Sequence, residues 1–263
     1  MNGRSLGGFG CRASVLIAAL WLAQPAAAQD EGAEPEADES QLVVRVFGGV
    51  GLGTRDFTFQ TPAELRSVET GPFAALEVGA SFLFAVSDSF SLGPMLVYQT
   101  SFAHEIEETH IAGASDELGI RSHRFDATLA ATIAIGSAGF RLALAAGVAV
   151  QNLRPEVHHL LTPAYSSMGP LGRLIVRIPF TQSFALRLAP EVAWMVPGYS
   201  LEELGLRDSG LLVGGEIAFE LAVSDSLALE LAARDALAWL PSSIGEDATD
   251  NGMFATTRVV WQP

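Results

Sequence analysis

Lysine is absent from this sequence of 263 residues, and cysteine occurs once, at Cys11. That thiol lies ahead of a short apolar run near the N-terminus. The rest of the chain therefore has no disulfide framework, no thiolate metal site and no cysteine nucleophile. Beyond residue 28 no run of eighteen apolar residues occurs, which argues against membrane-spanning helices. Basic residues are scarce too. From Gln41 onward 13 arginines face 24 acidic residues. Phosphate backbones need basic surface, so nucleic acid is not expected as a partner. Catalytic spacings are also missing. There is no HExxH, no Asp-x-His and no His-x-Asp. The glycines of FGGVGLG at 47–53 sit on a predicted strand with no helix after it, so neither a dinucleotide site nor any other cofactor is expected.

The N-terminus reads as a processing segment. Arg4 and Arg12 precede the apolar stretch SVLIAALWLA, and AAA follows at 26–28. This is the pattern of a secretory signal peptide over residues 1–28. Next comes QDEGAEPEADES, residues 29–40, with six acids in twelve residues, no base and nothing apolar larger than alanine. Such a segment cannot bury enough surface to offset its ordering entropy, and it is expected to be a disordered acidic tether. Residues 41–263 suit one domain.

That domain is written in alternation. In FRLALAAGVAVQ (140–151) one parity carries Phe140, Leu142, Leu144, Val148 and Val150, while the other carries Arg141, Ala143, Ala145, Gly147 and Gln151. Residues 173–180 and 184–196 repeat the pattern. Period two is the mark of a strand with two unlike faces. In a soluble sandwich the second face would be solvated and rich in polar residues. Here it is mostly Ala and Gly with single Arg or Glu residues, as befits an enclosed interior. The bulky face then looks at lipid, and a sheet in lipid must close, because hydrocarbon tolerates no unpaired edge. Short turns centre on Asp88, Ser137/Ala138, Gln182 and Asp225. They define hairpins 73–100, 120–152, 169–197 and 210–240. Longer polar connections fall at 103–119, 153–168, 198–209 and 241–252. Strands near 41–53 and 253–262 bring the predicted total to ten. The word AVSDS, at 85–89 and again at 222–226, marks two of the turns.

With its signal segment, even strand count, short turns against long loops, and Trp261 near the end, the chain resembles the small outer-membrane β-barrels of Gram-negative bacteria, the broad OmpA-like class. The resemblance covers residues 41–263. It implies an all-β fold, a closed up-and-down antiparallel transmembrane β-barrel. It also implies outer-membrane lipid and the barrel-insertion machinery as partners, short turns and both termini in the periplasm, and long loops outside the cell. Aromatic girdles are expected from Phe82, Phe84, Phe90, Phe180 and Phe184 near the turns and from Tyr98, Phe102, Trp194 and Trp239 at the far strand ends.

The inward parity collects Arg45, Arg124, Arg141, Arg173, Arg177, Arg187, Arg234 and Arg258 against Glu77, Asp126, Glu191, Glu216, Glu220 and Glu230. Buried ions are costly unless paired, so these are expected to form a lumen charge network. Two arrangements fit. One is an interior filled by paired side chains, in a barrel with a structural or surface-binding role. The other is a narrow channel for small ions or solutes. Strict alternation in 226–240 puts Asp235 toward lipid, unless a bulge near Ala232–Ala233 turns it inward. A third reading is a rim hydrolase or metal binder. The weak metal candidates are His104, His110, His158 and His159, beside the acids of 103–119. Ten-stranded barrels include the omptin proteases, but their Asp–Asp and Asp–His pairs have no counterpart motif here. The nearest loop acids are Glu246, Asp247 and Asp250. Solvated loops without chemistry are the expectation.

Overall fold

The computed structural model describes residues 42–60, 65–102, 104–109, 117–136, 139–155, 165–198, 209–241 and 247–263. The signal segment and the tether lie outside these, as do His110, His158, His159 and Glu246. The described residues form β1 (Leu42–Gln60), β2 (Leu65–Ser87), β3 (Phe90–Ser101), β4 (His104–Thr109), β5 (Glu117–Ile135), β6 (Phe140–Pro155), β7 (Tyr165–Pro179), β8 (Phe184–Pro197), β9 (Gly210–Ala222), β10 (Leu227–Leu240) and β11 (Ala248–Trp261).

All pairings are antiparallel, and β1 pairs with both β2 and β11, so the sheet closes. β3 and β4 follow one another between β2 and β5 and make up one stave of the wall. The result is a closed ten-staved up-and-down transmembrane barrel. It crosses with strands, as lipid requires where no water can satisfy a backbone edge. The β7–β8 ladder skips positions around Pro170 and Pro190, which have no N–H to offer.

The four predicted hairpins are present, and the strands run further than predicted at the loop end. β1 runs on to Gln60 and pairs with a β2 that starts at Leu65. The connection 103–119 holds β4 and the start of β5. β11 starts at Ala248, inside a predicted loop. Above the apolar band the outward parity turns polar, as at Thr54, Asp56 and Thr58 in β1. The backbone ladder continues there while the hydrophobic alternation that reveals it fades.

The two AVSDS words build different turns. In the first, the register shifts between Ala85 and Ser87, and Asp88–Ser89 form a tight two-residue turn. In the second, no bulge intervenes, and Val223 and Ser224 both donate their N–H to Leu227 O across a wider turn. The turn between β5 and β6 is flanked by Gly136 and Gly139, with φ of +67° and +78°, a left-handed backbone that glycine adopts without steric cost.

The bulky parity faces out on every stave. Val50, Leu144, Phe219, Leu231 and Val259 are all exposed, on five different strands. An apolar surface encircling the molecule has no counterpart in a water-soluble monomer. Phe82, Phe84, Phe180 and Phe184 are exposed near the turns, and Tyr98, Phe102, Trp194 and Trp239 near the loops. Phe90 is only half-buried at its turn. Phe180, Phe184 and Phe219 stack in sequence, with centroids 5.7 and 6.1 Å apart. At the loop end Trp239 Nε1 donates to Asp247 Oδ2 at 3.0 Å, an apolar ring with a wet polar handle.

β10 has no bulge at Ala232–Ala233. Its register with β9 and β11 is continuous from Ala228 to Trp239, so Arg234 is buried inside and Asp235 is exposed outside. Continuity wins because a bulge would swap the two and send the arginine into lipid. Asp235 is flanked outside by Pro190, Gly215 and Met253, none of which carries a compensating charge. A carboxylate on the lipid face destabilises a barrel, by somewhat less than the ~2–4 kcal/mol of a midplane Arg or Lys. Asp235→Leu is therefore expected to raise the barrel's stability by ~1–2 kcal/mol. Urea titration read by heat-modifiable gel migration checks this, and an unchanged or lower midpoint would contradict the lipid-facing placement.

Candidate functional site

The interior is layered along the barrel. At the loop end Phe57, Leu171, Met195, Leu212 and Leu240 form a dry cluster with Ala149, Ala193, Ala238 and Ala248. Met195 and Leu240 have no exposed surface. All point inward by the same parity that sends their strand neighbours into lipid. At the same end Arg55 binds Asp250 through two bonds of 2.7 and 2.5 Å, and Gln151 Nε2 donates to Asp250 Oδ2 at 2.7 Å.

Toward the middle, two carboxylates hold three arginines. Asp126 Oδ2 accepts from Arg173 Nη2 at 2.7 Å and from Arg234 Nη2 at 3.0 Å. Asp126 Oδ1 accepts from Arg124 Nε at 2.9 Å. Glu191 accepts from the same three arginines, at 2.9 Å from Arg124, 2.6 Å from Arg173 and 2.7 Å from Arg234. Its strand β8 faces β7 with Arg173 opposite Glu191, and β10 faces β9 with Arg234 opposite Glu216. In these two register pairs opposite charges stand side by side. Planar guanidinium groups suit this role because each can serve two carboxylates at once.

A second tier lies nearer the turns. Arg258 binds Glu77 through Nε and Nη2, both at 2.9 Å, and reaches Glu216 at 2.5 Å. Arg187 pairs with Glu216 at 2.9 Å and Glu230 at 2.8 Å. Arg45 pairs with Glu230 and Glu220, and Arg177 with Glu220 at 2.6 Å. Arg258 also packs over the Phe47 ring, 5.1 Å from its centroid. The ring has room because Gly79 faces it; a Cβ there would meet Phe47 Cζ at 2.4 Å. The spaces left between the tiers are small. Two cavities of about 30 Å³ each lie among these side chains, enough for a water apiece.

Of the fourteen inward charges named from sequence, thirteen lie in ion pairs and Arg141 has no ion-pair partner among the described residues. Two further members, Arg55 and Asp250, were not among them. The alternation predicts β1 only to about 53 and a loop over 241–252, whereas both residues lie on strands. The signal was present in the parity: Arg55 continues the inward row of Arg45 and Phe47, and Asp250 that of Arg258 and Thr256. Of the predicted loop acids, Asp250 is buried inside and Asp247 holds Trp239, while Glu246 lies outside the described residues.

At the rim, Ser122 is buried inward while its neighbour His123 faces out. His123 Nδ1 lies 2.8 Å from Tyr98 Oη and 3.0 Å from Thr100 Oγ1, with the two rings stacked at 6.2 Å. The pair therefore offers no Ser–His nucleophile. Among the described residues no three His, Cys, Asp or Glu side chains gather as a metal site. β4 holds His104, the one weak metal candidate on a described strand.

No family model and no curated protein matches the chain. Solved structures do. The outer-membrane protease OmpT of Escherichia coli aligns over 84% of this chain and 97% of its own, with a TM-score of 0.52 and 9% identity. The translocator domain of the autotransporter NalP of Neisseria meningitidis aligns over 86% and 90%, with a TM-score of 0.44 and 10% identity. The outer membrane protein OprG of Pseudomonas aeruginosa aligns over 84% and 95%, with a TM-score of 0.38 and 9% identity. The likeness to OmpT is one of fold: this chain has the architecture of the small outer-membrane β-barrels.

Removing one partner of a buried ion pair strands the others, at a cost of ~3–5 kcal/mol. Arg234 serves both Asp126 and Glu191, so Arg234→Met is expected to cost about that much, and adding Glu191→Gln to it should restore part of the loss. Chemical unfolding of the folded barrel measures both. Equal midpoints for wild type and Arg234→Met would show that the middle tier does not hold the barrel together.

Proposed function

We propose that this protein is an outer-membrane barrel with a structural or surface-binding role, its lumen closed by its own side chains. The observation that carries the reading is the apolar cluster of Phe57, Leu171, Met195, Leu212 and Leu240 at the loop end. Ions do not cross a dry apolar constriction readily, and gating by dewetting relies on this. Below it, two cavities of about 30 Å³ each lie among the ion-paired tiers. The loop-end cluster and the tiers beneath it would have to rearrange for a solute to pass. The barrel then presents a rigid wall to lipid and its loops to the outside.

In this reading residues 1–28 direct export and 29–40 form a periplasmic tether. The short turns and both termini face the periplasm and the long loops face out. The partners are outer-membrane lipid and, during assembly, the insertion machinery. What supports the orientation is the asymmetry between tight turns at one end and long connections at the other. No catalytic role is assigned. The described rim brings together no nucleophile, base and oxyanion donor.

Purified barrel in planar bilayers is expected to show no unitary conductance. Combining Phe57→Ala, Met195→Ala and Leu240→Ala with Arg234→Ala should introduce discrete steps, by removing the apolar closure and one member of the middle tier. Regular steps from the unaltered protein, shifted by Arg173→Ala or Glu216→Ala, would instead establish a narrow channel.

A further inference from the structure

At the turn end the interior widens into a vestibule of about 290 Å³. It stands at the lower edge of the ~300–1,000 Å³ usual for small-molecule pockets. Its polar wall is unusual. Arg141 on β6 is the register partner of Arg177 on β7, and Arg177 is the register partner of Arg187 on β8. Three arginines thus stand side by side across three neighbouring strands, and Arg45 lines the same cavity. Directly opposed residues in antiparallel strands have Cβ atoms ~4.5–5.5 Å apart, and like charges there are destabilising.

The carboxylates on hand do not balance this row. Arg45, Arg141, Arg177, Arg187 and Arg258 meet Glu77, Glu216, Glu220 and Glu230, and the surplus charge is Arg141. Asp225 belongs to the exposed turn at the lip. Two donors are also unused. The Nε atoms of Arg45 and Arg187 are buried with no hydrogen-bond partner among the described residues, and Arg187 as a whole is only 9% exposed. Buried donors are normally satisfied. The facing wall is apolar, with Val43, Leu83, Met95 and Val260.

We propose that this vestibule binds a small organic anion, with a carboxylate or phosphate head on Arg141, Arg177 and Arg187 and a short apolar body against Val43, Leu83 and Met95. The anion would relieve the repulsion along the arginine row. The size of the cavity limits it to a small molecule or to a single headgroup of the surrounding lipid. The site does not depend on whether the lumen conducts, since it lies on the turn side of the closure.

The test is calorimetric titration of the folded chain in phosphatidylcholine nanodiscs with phenyl phosphate, and with benzyl alcohol as the neutral counterpart. Saturable one-to-one binding of phenyl phosphate alone is expected. Arg141→Gln should weaken it at least tenfold without altering unfolding, because Arg141 holds no ion pair among the described residues. Arg121→Gln, an exposed arginine at the opposite end of the wall, should leave it unchanged. Doping the discs with phosphatidylglycerol separates the sources. Competition identifies a headgroup as occupant, and undiminished binding identifies a free anion. Absence of saturable binding, equal binding by Arg141→Gln, or equal weakening by Arg121→Gln would overturn the site.

Discussion

A strand edge in hydrocarbon has nothing to bond with, and this one constraint organises the molecule. It requires β1 to find β11, so that the first and last strands of the chain become neighbours. Once the sheet is closed, each strand has an outside and an inside. Alternation then assigns every residue to one or the other. Bulky aliphatic and aromatic side chains go to lipid, and the ionic and small ones are shut in together.

Enclosure changes what those ionic residues can do. On an open surface most of their pairings would contribute little. Inside the barrel they have few alternatives to each other, and an unmatched ion is costly. The structure meets this by letting arginine bridge. Asp126 and Glu191 share three arginines, and Arg258 spans Glu77 and Glu216. Arginine is the only cationic side chain the chain has to offer, apart from its five histidines, and its fork geometry allows this sharing. The loop end is treated differently. There Phe57, Leu171, Met195, Leu212 and Leu240 pack together beside the Arg55–Asp250 pair, and packing of apolar side chains fills most of the interior.

The charge network shows how far residue spacing reaches. Parity alone placed Arg173, Arg177, Glu216, Glu220, Arg234 and Glu230 on one face, because side chains on a strand have no other choice. It failed where hydrophobic contrast fades, above the apolar band, and so missed Arg55 and Asp250. It also left two directions open for Asp235. Backbone continuity resolved that in favour of burying Arg234, since one of the two adjacent charges had to face lipid and the arginine had two carboxylates waiting inside.

Local pattern alone determined the four hairpins, their turns, the two faces and the ten-staved class, because period two and turn chemistry are properties of short segments. Which charges pair was decided only by tertiary structure. Arg258 meets Glu77 across 181 positions of sequence, and Arg45 meets Glu230 across 185, because closure and stagger bring distant strands to the same height. The same is true of the apolar closure and of the arginine row in the vestibule. Both depend on register between strands, which a single strand's sequence does not contain.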